Sequence, residues 1–162
     1  MLLRDVESAD LDIYLRLRCD PVMMAELGGP QPPERVAEQI KRDVETVRED
    51  SAWIKMIMSD GSAQVAGTVT LYSHEGISEI GWMVLPEFQG RGLAGEAVRA
   101  VLGLAGAEGR WGLIHAFPSR TNGPSNAICR SGGFSLIGEE ETAFAGSVFQ
   151  TNHWVFDPSA YL

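Results

Sequence analysis

The chain has 162 residues, 44% of them hydrophobic and 22% charged, an ordinary composition for one globular domain over residues 1–162 that buries roughly 70% of its unfolded surface. Its formal net charge of −9 argues against a nucleic-acid partner, which requires clustered Lys and Arg, and fits either plain solubility or a cationic ligand. No apolar run approaches the ~20 residues of a membrane span, and Met1-Leu2-Leu3-Arg4-Asp5 offers no basic segment leading into an apolar core, so no membrane and a cytoplasmic location are expected.

Residues 2–5 read as a first strand. Ser8 offers a helix N-cap oxygen, and Leu11, Tyr14 and Leu15 follow at helical spacing. A second helix starts near Pro33, where a missing N–H costs nothing. Val36, Ile40, Val44 and Val47 form its apolar stripe, with Glu38, Lys41, Arg42 and Glu45 on the wet side. The period then changes. Residues 53–58 are a short apolar run ended by a hairpin signal at Asp60-Gly61, and Val65, Gly67, Val69 and Leu71 alternate as the next strand. Residues 78–85 alternate again. Val98, Val101, Leu102 and Ala105 return to helical spacing within 93–107, and residues 111–117 read as a fifth strand. Gly123-Pro124 opens a last helix that Gly132-Gly133 must end, because glycine adopts the left-handed C′ conformation freely. Strands at 134–144 and 148–156 turn at Ala145-Gly146. The order β-α-α-β-β-β-α-β-α-β-β predicts a mixed α/β (α+β) fold: about seven mostly antiparallel strands with about four helices.

One segment carries chemistry beyond its structural role. Gln89-Gly90-Arg91-Gly92-Leu93-Ala94-Gly95 stands between a strand and a helix. A glycine-rich turn there exposes backbone N–H groups at the positive end of the helix, which suits a phosphate. It is not a P-loop, since no Gly-Lys-Ser/Thr follows. A dinucleotide-binding reading is poor, because the strand follows hairpins and does not open a βαβ unit. The two cysteines, Cys19 and Cys129, lie far apart without metal-ligand neighbours, so neither a metal nor a disulfide is expected. Trp53, Trp82, Trp111 and Trp154 all fall in predicted strands as core, and His115 reads as a core or edge histidine.

Gln89-x-x-Gly92-x-Ala94 resembles the Gln/Arg-x-x-Gly-x-Gly/Ala motif of the GNAT acetyltransferase superfamily. Glu79-Ile80-Gly81-Trp82-Met83-Val84 looks like that family's fourth strand, and Asn122-x-x-Ser125 with Gly133-Phe134 resembles its second block. The helix pair and Asn122-Gly123-Pro124-Ser125-Asn126 are similar to the RimJ/RimL-type branch. The resemblance implies parallel strands four and five that splay at their C-terminal ends, with acetyl-CoA as acyl donor in the gap. Pantetheine would meet backbone near Met83 and Val84 and the side chain of Asn122. The pyrophosphate would lie on N–H groups of Gln89, Gly90, Arg91, Gly92, Leu93, Ala94 and Gly95, with Arg91 able to add charge. Glu79 matches the position of the general base, with Glu87 a weaker rival. Many relatives place a Tyr four residues before the Gly-Phe pair to protonate the leaving thiolate; here Cys129 stands there, and Ser125 or Cys129 could donate to sulfur instead.

The acceptor implied is a small-molecule or peptide primary amine, with the protein a monomer or homodimer. It would enter between the last hairpin and the loop holding Met23, Met24, Glu26, Leu27, Gly28 and Gly29, where Met side chains adapt to irregular shapes and Glu26 could attract a cation. A catalytically silent CoA-binding module, a different acyl donor and a hydroxyl acceptor are the alternatives.

Overall fold

The computed structural model of the protein describes residues 2–59, 64–144 and 147–161. The turns expected at Asp60-Gly61 and Ala145-Gly146 lie outside the described residues. Seven strands, β1 (Leu2–Asp5), β2 (Ala52–Met58), β3 (Val65–His74), β4 (Ile77–Val84), β5 (Ile114–Ala116), β6 (Ser135–Phe144) and β7 (Ser147–Phe156), join in one sheet of order β1-β2-β3-β4-β5-β7-β6. Every described pairing is antiparallel except β4 with β5. The helices are α1 (Leu11–Arg18), α2 (Pro33–Arg48), α3 (Leu93–Glu108) and α4 (Gly123–Ser131). This is the mixed fold expected from the order of elements.

Strand alternation assigns the two faces. On β3 and β4, Val69 lies opposite Trp82 and Leu71 opposite Ile80; these pack with Val98, Val101 and Leu102 of α3. The other parity, Thr70 opposite Gly81 and Tyr72 opposite Glu79, faces α1 and α2, where Ile54, Met56 and Met58 of β2 pack with Tyr14, Val36 and Ile40. Opposite faces follow from the two-residue period of a strand. Gly67 has a specific reason to lack a side chain. A Cβ there would stand 2.0 Å from the Met83 carbonyl oxygen, so any larger residue would push β4 away from β3.

Three expectations need correction. Ser8 does not cap α1. A 3-10 turn over Ser8–Asp10 precedes the helix, and the Asp10 carboxylate accepts the Glu7 N–H at 2.8 Å. Burial pushes the Asp10 pKa up, but the hydrogen bond from Arg4 at 2.8 Å outweighs it with the help of Glu7, so the group lies below its ordinary value. The fifth strand is only Ile114–Ala116, not 111–117. Gly112 has φ +64°, and Pro118, with no N–H to donate, follows closely. Trp111 is therefore buried outside any strand, edge-on to Trp53 with ring centroids 5.2 Å apart and under the Arg110 guanidinium at 4.7 Å.

Candidate active site

The parallel ladder of β4 and β5 is two residues long, Ser78 with Ile114 and Glu79 with His115. Beyond Glu79 the strands part, and β4 runs on to Val84 without a partner on that side. A cavity of about 780 Å³ opens there and extends under α1 and α2, within the size range of small-ligand sites. Its sheet wall is Thr68, Thr70, Tyr72, Glu79, Gly81 and Met83; Arg18, Gln39 and Asp43 come from the helices, Asn122 and Ser125 from α4, and Leu27 from the α1–α2 loop.

Glu79 is half-buried, and its carboxylate accepts a hydrogen bond from the Tyr72 hydroxyl at 2.5 Å. Burial first, and then the neighbouring Glu79 charge, push the Tyr72 phenol far above its usual pKa, so it stays a donor. The rival Glu87 is exposed and paired with Arg16 at 2.6 Å. Asn122 is the N-cap of α4, its Oδ1 accepting from the Ser125 N–H at 3.1 Å. The Ser125 hydroxyl accepts from Trp82 Nε1 at 3.2 Å, a link from β4 to α4 that leaves its own proton free to donate. Cys129, one turn further along α4, is not brought to the cavity. It is fully buried in the α3-side core, and burial pushes its thiol up to about 12.

The Gln89–Gly95 segment forms the entry to α3. Gly92 is the N-cap with φ +77°, and Gly90 shares that φ, a left-handed geometry that glycine takes without strain. The helical ladder begins with the Glu96 N–H on the Gly92 carbonyl at 3.0 Å. Leu93, Ala94 and Gly95 therefore offer N–H groups that no helical carbonyl takes. The Gln89 side chain donates to the Val84 carbonyl at 2.9 Å, fixing the end of β4. Arg91 bonds the Glu87 carbonyl at 3.1 Å and lies over Phe88. Arg99, which sequence reasoning passed over, folds back along α3: its Nη1 lies 3.3 Å from where a Cβ on Gly95 would be. The signal available was its position four residues after Gly95, on the same helical face.

The α1–α2 loop places its residues differently from expectation. Asp20 Oδ1 accepts the Val22 and Met23 N–H groups, and the Met24 carbonyl accepts those of Leu27 and Gly29. That winding turns Met24 into the core and Met23 against it. Glu26 accepts the Thr121 hydroxyl at 2.7 Å. None of these three lines the cavity; Leu27 does. Arg18, Asp43 and Tyr72 were missed. Asp43 is buried on α2, its carboxylate accepting from Tyr14 at 2.6 Å and Gln39 at 2.7 Å. The available signals were an acid inside the α2 apolar stripe and a polar series, Thr68, Thr70 and Tyr72, on alternate positions of a central strand.

The family profile of the acetyltransferase (GNAT) domain matches residues 1–135. The chain belongs to the GNAT acetyltransferase family. Solved structures agree in fold with this GNAT domain. A ribosomal-protein-S5-alanine acetyltransferase from Vibrio fischeri superposes with TM-score 0.81 at 17% identity, covering 99% of this chain and 94% of that one. The ribosomal L7/L12 alpha-N-protein acetyltransferase RimL, in complex with coenzyme A, gives 0.81 at 16%, covering 96% and 92%. A spermidine N-acetyltransferase chimera of Vibrio cholerae and hSSAT gives 0.80 at 20%, covering 99% and 96%. A search of curated proteins returns no match. Among the described residues of the GNAT domain, no group of three or more His, Cys, Asp or Glu is placed to hold a metal, and no helix is long and apolar enough to cross a membrane.

Proposed function

We propose that this GNAT domain moves an acetyl group from acetyl-CoA to the nitrogen of a primary amine, with Glu79 as general base. The observation that carries the reading is the position of Glu79: the last β4 residue paired with β5, its carboxylate on the cavity side and held by Tyr72.

The residues present fit the donor. Past Glu79, β4 has backbone N–H and C=O groups near Met83 and Val84 that a pantetheine arm can pair. The side-chain-free backbone of Gly90 and Gly92 and the N–H groups of Leu93, Ala94 and Gly95 suit a pyrophosphate, with Arg91 and Arg99 beside them. Bound acetyl-CoA supplies an activated thioester; the remaining tasks belong to the chain. A primary amine attacks only as the free base, and its ordinary pKa is about 10.4 for a lysine-type amine and about 7.7–8.0 for an α-amine. Glu79 accepts that proton, directly or through one water. Ser125 can donate its free proton to the departing sulfur. Acid help is a modest requirement, since a free thiol with pKa about 8.5 already leaves readily. The acceptors of the similar proteins, ribosomal proteins and spermidine, present amines in both cases.

Glu79→Gln keeps shape and removes the base. Turnover should fall by about 10²-fold or more, while the acetyl-CoA affinity read by calorimetry stays nearly the same. Near-normal turnover between about pH 6 and 9 would take Glu79 out of the mechanism.

A further inference from the structure

Arg18, the last residue of α1, contributes a half-buried guanidinium to the same cavity as Glu79. Its carbonyl accepts the Gln31 N–H at 2.8 Å, tying the chain on either side of the α1–α2 loop together, and its guanidinium lies 4.9 Å over the Tyr14 ring. Among the described residues it has neither a carboxylate within 4.0 Å nor a side-chain hydrogen bond. Arg16, two residues earlier, is paired with Glu87.

The acids of the cavity are already engaged elsewhere. Asp43 is held by Tyr14 and Gln39, and Glu79 by Tyr72. Glu26, the acid of the α1–α2 loop, is tied to Thr121 outside the cavity. One wall therefore presents an unpaired cation and another presents a carboxylate that needs an amine. Arg18 is close enough to oppose the rise of the Tyr72 phenol, so its field reaches the hydroxyl that holds Glu79. An ammonium group placed against Arg18 would meet a like charge, and an anion placed there would meet a complementary one. A molecule carrying both an amine and an anion would satisfy both walls.

We propose that Arg18 anchors a carboxylate on the acceptor, which makes the acceptor an amino carboxylate: a free α-amino acid, or a peptide N-terminus with an acidic side chain close behind it. The guanidinium fork takes a carboxylate in two parallel hydrogen bonds, which orients as well as binds. With that end fixed, the amine is directed toward Glu79 and the gap beyond it. The assignment rests on the amine-acetylating reading above and adds the substrate class.

The test compares matched probes: glycine and the L-α-amino acids with a primary amine against their carboxamides, and short peptides with Asp or Glu at the second position against the Asn or Gln forms. Acetylation is read by release of free thiol. Binding is read separately, by the thermal shift that each probe causes in the presence of CoA. The expected result is a carboxylate preference of about tenfold or more in kcat/KM for the best pair, with a thermal shift for the carboxylate form alone. Arg18→Gln should remove both, and Arg18→Lys should keep part of the preference because the charge remains. Whichever probe set shows the preference identifies the source of the carboxylate. Carboxamides that serve and bind as well as carboxylates, with no change in Arg18→Gln, would overturn the assignment while leaving amine acetylation intact. Absence of acetylation with every probe would count against the amine reading, and the thermal-shift arm would still decide the role of Arg18.

Discussion

Ser125 and Cys129 stand one helical turn apart on α4 and meet opposite surroundings. Ser125 lines the cavity, bonded to Trp82. Cys129 is fully buried, its thiol pushed up to about 12, so near pH 7 it stays a thiol and not the nucleophilic thiolate. A covalent acetyl-cysteine route therefore has no ready nucleophile. Cys129→Ala should cost about 1 kcal/mol of stability through lost packing and less than about tenfold in turnover. Mass spectrometry after incubation with acetyl-CoA should find no adduct on Cys129; a stable acetyl group there would reverse this reading. The raised pKa also has a sign. The folded protein holds this proton where the unfolded chain, with a value near 9.0, releases it, so this contribution to stability is complete below about pH 9 and declines as pH rises toward 12.

Across β5, β7 and β6, a line of side chains runs from the end of the parallel ladder to the edge of the sheet. His115 Nδ1 lies 2.7 Å from His153 Nε2, and His153 Nδ1 lies 2.6 Å from Glu140. Phe117 packs on both rings. If Glu140 accepts from His153, then His115 donates Nδ1–H, a chain that works with both rings neutral. Burial, then the His153 charge, lower the His115 pKa, with Glu140 opposing. The unfolded chain thus takes up this proton first as pH falls, and stability is lost below about pH 6.5. Asp10, whose folded value lies below 3.8, acts only at lower pH. The melting temperature should therefore fall between about pH 7 and 5, and His115→Asn should flatten that slope; an equal slope in both proteins would remove the histidine pair as its cause. The histidine line also marks the limit of what sequence could tell. Element types and the Gln89–Gly95 turn were legible, because periodicity and glycine placement are local properties. The His115–His153 contact was not, since it joins residues 38 apart. Arg18, Asp43 and Tyr72 converge only when α1, α2 and β3 pack. Met23, Met24 and Glu26 were expected at the acceptor from the family resemblance; the winding of their loop buries Met24, ties Glu26 to Thr121 and leaves Leu27 on the cavity wall.

At the scale of the whole molecule, the proposed reaction divides its work between the two faces of one sheet. The entry to α3 lies with the α3-side core, in which Leu93 is buried. Glu79 and Tyr72 from the sheet, with Arg18 of α1 and Asp43 of α2, line the cavity on the other face. In the proposed reaction, donor binding and base chemistry depend on different elements, so single substitutions should separate them. A ligand that binds only the folded state stabilises it by RT ln(1 + [L]/Kd), about 2.7 kcal/mol at a hundredfold excess over Kd. Acetyl-CoA in such excess should raise the melting temperature by several degrees, and Glu79→Gln should retain that rise. Gly92→Glu should lose most of it. Gly92 has φ +77° with open space around its Cβ position, so a glutamate strains the turn and sets a negative charge where phosphates are expected. Backbone strain alone would lower the melting temperature of this variant equally with and without acetyl-CoA; loss of the increment itself is the signature of the phosphate site. A full increment in Gly92→Glu would move the pyrophosphate away from the entry to α3, and no increment in the unmutated protein would remove acetyl-CoA as the donor.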